Sequence, residues 1–322
     1  MRRMLAAGLV LVHVLIGAPI ASAQDYPART VTIVVPQAAG GTNDVVARFM
    51  GDRLSQATGQ RFVVENRVGA GGNVGTSGVA RSQPDGYTLL ISSDNALTIN
   101  PHLYKSVGYD PVADFEPITL VATVPYVLVL NPRFPASTMA DLISLAKSKP
   151  GEIQYGSSGI GTVNHLLVEL LGFDTGTRFL HVPYRGVSAL MTDLVAGHLQ
   201  TGFATMPAVQ SHLASGSLKA LGISSPKRLD IAPDIPAVAE TVPGYGAELW
   251  VGLLAVRGTP PDVVARLKAE SAKILADPQA RAALVAMGAQ PSPSTGEQLT
   301  GRIREDGDKW RGVIGRLGLK VE

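Results

Sequence analysis

Short apolar segments of strand length alternate along this chain with longer ones whose apolar residues recur at helical spacing, and the alternation persists almost throughout. Such a pattern predicts a parallel α/β fold rather than a sandwich or a helical bundle. Residues 30–35 read as a buried strand that meets the loop 36–41 and then a helix carrying Val46, Phe49, Met50 and Leu54 on one face, closed by Gly59. Residues 61–65 and 86–91 supply further strands, separated by the glycine-rich stretch 69–75 and a short helix to Arg81. Residues 125–130 read as a strand that crosses into a second unit, where Ser137 or Thr138 caps a helix running through Lys147. There the cassette repeats: a strand over 153–156, a loop over 157–162, and a helix with Val163, Leu166, Leu167, Leu170 and Leu171 on one face. Three short strands follow over 179–184, 199–204 and 218–223; then 248–255 crosses back, and Thr259-Pro260-Pro261-Asp262 opens a long helix.

Two crossings imply a discontinuous first lobe. The expected division is 24–124 plus 252–322 for lobe 1 and 125–251 for lobe 2, with hinge crossings near 124–126 and 250–252.

Ahead of this pattern, Arg2 and Arg3 precede an apolar run from Met4 to Ile16 and a stretch ending Ala21-Ser22-Ala23. The run falls short of the roughly 20 apolar residues that span a bilayer, and small residues at 21 and 23 suit a signal peptidase. A signal peptide over residues 1–23, cleaved after Ala23, and a periplasmic mature protein are expected. Without Arg2 and Arg3 the 28 basic residues become 26, equal to the 26 acidic ones, so nothing points to a nucleic-acid partner. The chain has no cysteine, which rules out disulfides, thiolate metal sites, a cysteine nucleophile and a lipid-bearing N-terminal cysteine. No metal or cofactor is expected, because the six histidines do not pair at ligand spacing.

In parallel α/β lobes ligands lie beyond the carboxyl ends of strands, where loops lead into helix N-termini. A helix start offers free N–H groups and roughly half a positive charge, so it can hold an anion without lysine or arginine. Ala39, Gly40, Gly41, Thr42 and Asn43 form one such loop, and Ser157, Ser158, Gly159 and Thr162 belong to another. Plain helix capping uses the same residue types, so the occurrence of both loops, one in each half, carries more than either alone. His165 follows the second loop as a donor or as an ordinary surface histidine; Asn95, in Ser92-Ser93-Asp94-Asn95, serves a ligand or a turn. Phe203 and Trp250 wall the site or fill the core, and Thr205, just beyond Phe203, is a further candidate ligand-binding residue. The 69–75 loop misses the dinucleotide fingerprint because Val74 stands at its last glycine. No G-x-S-x-G elbow, phosphate-binding loop or H-E-x-x-H motif is present, which leaves a hydrolase built from Ser157 or Ser158 with His165 as the enzymatic alternative.

Taken together, the cassettes resemble the substrate-binding receptors of tripartite tricarboxylate transporters, often called Bug receptors. The resemblance is carried by Tyr26-Pro27, the run from Ala39 to Arg48, Glu65-Asn66-Arg67 with Gly69-Ala70-Gly71-Gly72-Asn73, Pro84-Asp85-Gly86-Tyr87, Asp114-Phe115-Glu116-Pro117, Ser157-Ser158-Gly159 with Gly161-Thr162 and His165, and Pro183-Tyr184-Arg185-Gly186. It implies a type II periplasmic-binding-protein fold, two α/β lobes joined by two crossing segments. It further implies a site for small carboxylates made by main-chain amides and hydroxyls of both loops, and delivery to membrane permease components by a monomer. A sensory adaptor that presents the bound carboxylate to a membrane sensor would use the same pocket. The chain departs from the family pattern at Val68, at Val187-Ser188-Ala189 and at Ala204, where an aspartate is frequent; its loss favours a plain mono- or dicarboxylate over an amino acid.

Overall fold

The computed structural model describes residues 26–229 and 232–321, and the expected signal segment with its cleavage point lies outside them. The chain builds β1 (Val31–Val35), α1 (Thr42–Thr58), β2 (Phe62–Asn66), α2 (Asn73–Ala80) and β3 (Thr88–Ser93). A π-helical turn over Asn95–Ile99 leads into α3 (Asn100–Leu103), after which β4 (Phe115–Val124) runs straight across Pro125 into β5 (Tyr126–Leu130). The second half adds α4 (Met139–Ser148), β6 (Gln154–Ser157), α5 (Val163–Thr175), β7 (Leu180–Pro183), α6 (Val187–Ala196), β8 (Thr201–Thr205), α7 (Met206–Ala214) and β9 (Lys219–Ile223). The chain then returns through β10 (Leu249–Val256), α8 (Pro261–Ala276), α9 (Pro278–Ala286), β11 (Gln290–Pro291) and α10 (Gly296–Leu317).

These elements form two sheets, ordered β11-β4-β10-β3-β1-β2 and β7-β6-β8-β5-β9. Each lobe lays its first three parallel strands in the order second, first, third, then inserts the strand that comes from a crossing, then its fourth strand. The crossing strands enter against the grain: β10 is antiparallel to β3 and β4, and β5 to β8 and β9. The sheets are therefore mixed where the sequence pattern predicts parallel ones. A chain entering from the other lobe arrives at the opposite end of the sheet, a direction that local periodicity does not encode.

Leu249 pairs with Val124 inside the first sheet, whereas the Ala247 amide still donates to Ser224 O of the second lobe at 3.0 Å. On the return the backbone passes from bonding with the second sheet's lobe to pairing in the first sheet over 247–249. Each lobe has its own apolar core, with Val31, Ile33, Met50 and Leu253 in one and Leu128, Tyr155, Leu166 and Phe203 in the other. The last helix joins both. Leu299 and Ile303 of α10 pack with Trp250 and Phe115 of lobe 1, while Trp310, Val313 and Ile314, a few turns on, lie in the core of lobe 2.

Candidate ligand-binding site

A cleft of about 450 Å³ opens between the lobes, at the carboxyl ends of β1, β3 and β6. Gly41, Thr42 and Asn43 from the start of α1 line it from one side, and Ser158, Thr162 and Val163 from the start of α5 from the other. Asn95 also lines it, as do Tyr126 and Leu249, one beside each crossing. No lysine, arginine or histidine is among the lining residues. Electrostatic attraction for an anion must come from backbone amides and helix dipoles.

Neither helix start is closed by a side-chain cap: Gly41 precedes α1 and Thr162 precedes α5, both with extended backbone. Among the described residues no protein group accepts from the Thr42 and Asn43 amides. The contrast is α4, whose Thr138 and Asp141 form a capping box that occupies the same kind of donor. The first loop is shaped by Asp44, which accepts from the Gly40 amide at 2.9 Å, from Arg48 Nε at 3.0 Å and from Asn66 Nδ2 at 2.9 Å. Burial works against that carboxylate, but the bonds from Arg48, Gly40 and Asn66 hold its pKa below the ordinary value. Gly40 therefore turns its N–H toward Asp44, and neither Gly40 nor Ala39 is on the cleft wall.

The second loop is organised by Asn164, a buried residue that the sequence pattern does not single out. Its Oδ1 accepts from Ser158 Oγ at 3.0 Å and Thr162 Oγ1 at 2.6 Å, and its Nδ2 donates to Phe203 O at 3.2 Å. The only sequence signal is an asparagine in the first turn of a helix, which is common. Ser157 is fully buried behind the loop; its hydroxyl lies 3.0 Å from Gly159 O and 2.6 Å from His181 Nε2. His165 is likewise buried, its Nδ1 accepting from the Gly161 amide at 3.1 Å while its ring stacks on His181 at 4.0 Å between centroids. Burial lowers both imidazoles, His165 to about 3 and His181 to about 4, so both are neutral at neutral pH. The histidine that Ser157 meets is His181, and among the described residues neither Ser157 nor Ser158 bonds to His165, the partner expected from the sequence.

Gly159, Phe203 and Thr205 are also off the wall: Phe203 is core, with Trp250, and Thr205 ends β8 as the residue ahead of α7. The structure adds three features to the wall. Gly69, Ala70, Gly71 and Gly72, set aside in the sequence because the fingerprint fails, line the cleft, as does Val68. Asp94 does too, as a carboxyl group with 1% exposure and an Oδ1 that has no partner. Burial, with Asp306 nearby, pushes Asp94 well above the usual carboxylate range. Among the described residues no cluster of three or more histidine, aspartate or glutamate side chains could hold a metal, and no helix is long and apolar enough to cross a membrane.

Two α/β lobes joined by crossing strands, with the loops beyond their strand ends opening on a shared cleft, define a solute-binding receptor. A family model described as the tripartite tricarboxylate transporter family receptor matches residues 46–319, and the chain belongs to that family. It is similar to Protein BugT of Bordetella pertussis, 37% identical over 100% of this chain and 99% of the other. Among solved structures, an R. palustris protein with adipate superposes with a TM-score of 0.83 at 35% identity, covering 92% of this chain and 99% of that one. MatC from Rhodopseudomonas palustris, with bound malate, gives 0.78 at 30% identity over 90% and 100% of the two chains.

Proposed function

We propose that this receptor works in the periplasm, after cleavage following Ala23, where it captures a small organic carboxylate between its lobes without chemical conversion. It then hands the ligand, as a monomer, to the membrane components of a tripartite tricarboxylate transporter. The observation that carries this reading is the convergence of two uncapped helix starts, Thr42–Asn43 and Thr162–Val163, on one cleft with no basic side chain among the described residues that line it. Such a site suits a carboxylate held chiefly by main-chain amides. That solved relatives carry adipate and malate agrees with this chemistry. The ligand-contacting set is Gly41, Thr42, Asn43, Asn95, Ser158 and Thr162, with Ser157, Gly159 and His165 shaping the second loop from behind and Gly40 the first. The lobes comprise 24–124 with about 249–322, and 125–248, and rock about 124–126 and 247–249 as ligand bridges them.

Thermal-shift and calorimetric screening of the mature protein tests this, after unfolding and refolding to strip co-purified ligand, against mono-, di- and tricarboxylates of two to nine carbons. A saturable rise in melting temperature with at least one of them, recovered unaltered, is expected. Silence across the series, or turnover of the bound molecule, would contradict it.

A further inference from the structure

The cleft contains one acidic side chain whose place in an anion site needs explaining. Asp94 follows β3, lines the same cleft as the two helix starts, and is buried with Oδ1 unpartnered. The charged and titratable groups facing it are Asp306 and Arg302 of α10 and Tyr126 of β5. Arg302 is not its counterion: Arg302 Nε bonds Asp306 Oδ2 at 3.2 Å, and the indole N–H of Trp250 donates to the same oxygen at 2.7 Å. Asp94 thus has no cation bonded to it, has a second carboxylate nearby, and belongs to the wall of a cleft suited to attract a third. An ionised Asp94 would repel a carboxylate guest, whereas the neutral acid supplies an O–H donor where charge-assisted hydrogen bonds are strongest.

We propose that Asp94 is a specificity residue that, as the un-ionised acid, donates a hydrogen bond to a carboxylate of the guest and so selects carboxylates that carry no ammonium group. This rests on the carboxylate-receptor function above. Burial, together with Asp306, favours the protonated form.

The test uses the mature protein with adipate, malate, and their amino counterparts 6-aminohexanoate and aspartate. Adipate or malate should bind at least about tenfold more tightly than its amino counterpart. Asp94→Ala should weaken that binding by about ten- to a hundredfold. The infrared difference spectrum of bound against free protein should show a protonated carboxyl C=O band that disappears in Asp94→Asn. The last measurement holds even if Asp94→Ala folds poorly. Tighter binding of the amino ligands, a carboxylate band in place of the acid band, or an unchanged affinity in Asp94→Ala would overturn the proposal while leaving the receptor intact. Failure of every carboxylate in the wider series to bind would remove the receptor reading and the proposal with it.

Discussion

The side chains that shape this cleft are mostly not those that touch a guest. Asn164 satisfies Ser158 and Thr162 and ties the second loop to β8 through Phe203 O. Replacing it with alanine leaves these groups to find water or nothing, so Asn164→Ala should cost about 1–3 kcal/mol in urea unfolding and weaken carboxylate binding in calorimetry. Unchanged affinity would mean that the loop holds its shape without it. The stacked pair of buried His165 and half-buried His181 sets the acid limit of stability. Unfolded imidazoles titrate near 6.5, while folded His165 and His181 are held near 3 and 4. Between those values the unfolded chain binds protons that the folded chain does not. Stability from this pair is full above about pH 6.5 and drains as the pH falls toward 4, at up to about 1.4 kcal/mol per pH unit for His165. The melting temperature should fall over that window, and less so in His181→Gln; a melting temperature that does not respond would contradict the assignment. None of this was legible beforehand: Asn164 is an unremarkable residue type, and the stack of His165 on His181 joins residues from different elements.

At the level of elements, much could be read. Periodicity located β1, α1, β5, α5 and β10 within a residue or two, and Gly59 closes α1 in the left-handed conformation as its position implied. β4 was missed because Pro117 falls inside it; the register shift opposite, between Leu253 and Leu254, shows how the ladder accommodates a residue without an N–H. The failure of the glycine-rich loop as a nucleotide fingerprint says nothing about its lining a different site. Glycines in the loops and caps should divide by what surrounds them. Gly176 ends α5 at φ +64 with open space where a Cβ would be, so Gly176→Ala should cost only the backbone strain, about 1–2 kcal/mol, with binding intact. Gly161, at φ +76, would drive a Cβ into Leu103 of α3. Gly161→Ala should therefore both destabilise and weaken binding, because the second loop must move; equal effects of the two substitutions on affinity would count against this.

For the molecule as a whole, the two-lobed α/β plan followed from alternation and from two crossing strands, whereas the mixed sheets and the position of the cleft wall needed the third dimension. The absence of lysine and arginine among the described residues of the cleft wall has a measurable consequence. Surface charges lose their reach beyond about 8 Å at physiological salt, but short amide contacts inside a closed cleft do not. Carboxylate affinity should change by no more than about threefold between low salt and half-molar sodium chloride. A steep decline would reveal a basic contributor outside the described wall.

The last helix gives the architecture a property that two hinge strands alone would not. Its early turns are anchored in one lobe and Trp310, Val313 and Ile314 in the other, so each interior is completed by residues from the far end of the chain. Neither half is self-sufficient. The protein should melt in a single step, and a fragment ending ahead of Trp310 would carry an open oily seam along a lobe whose own sequence was never cut.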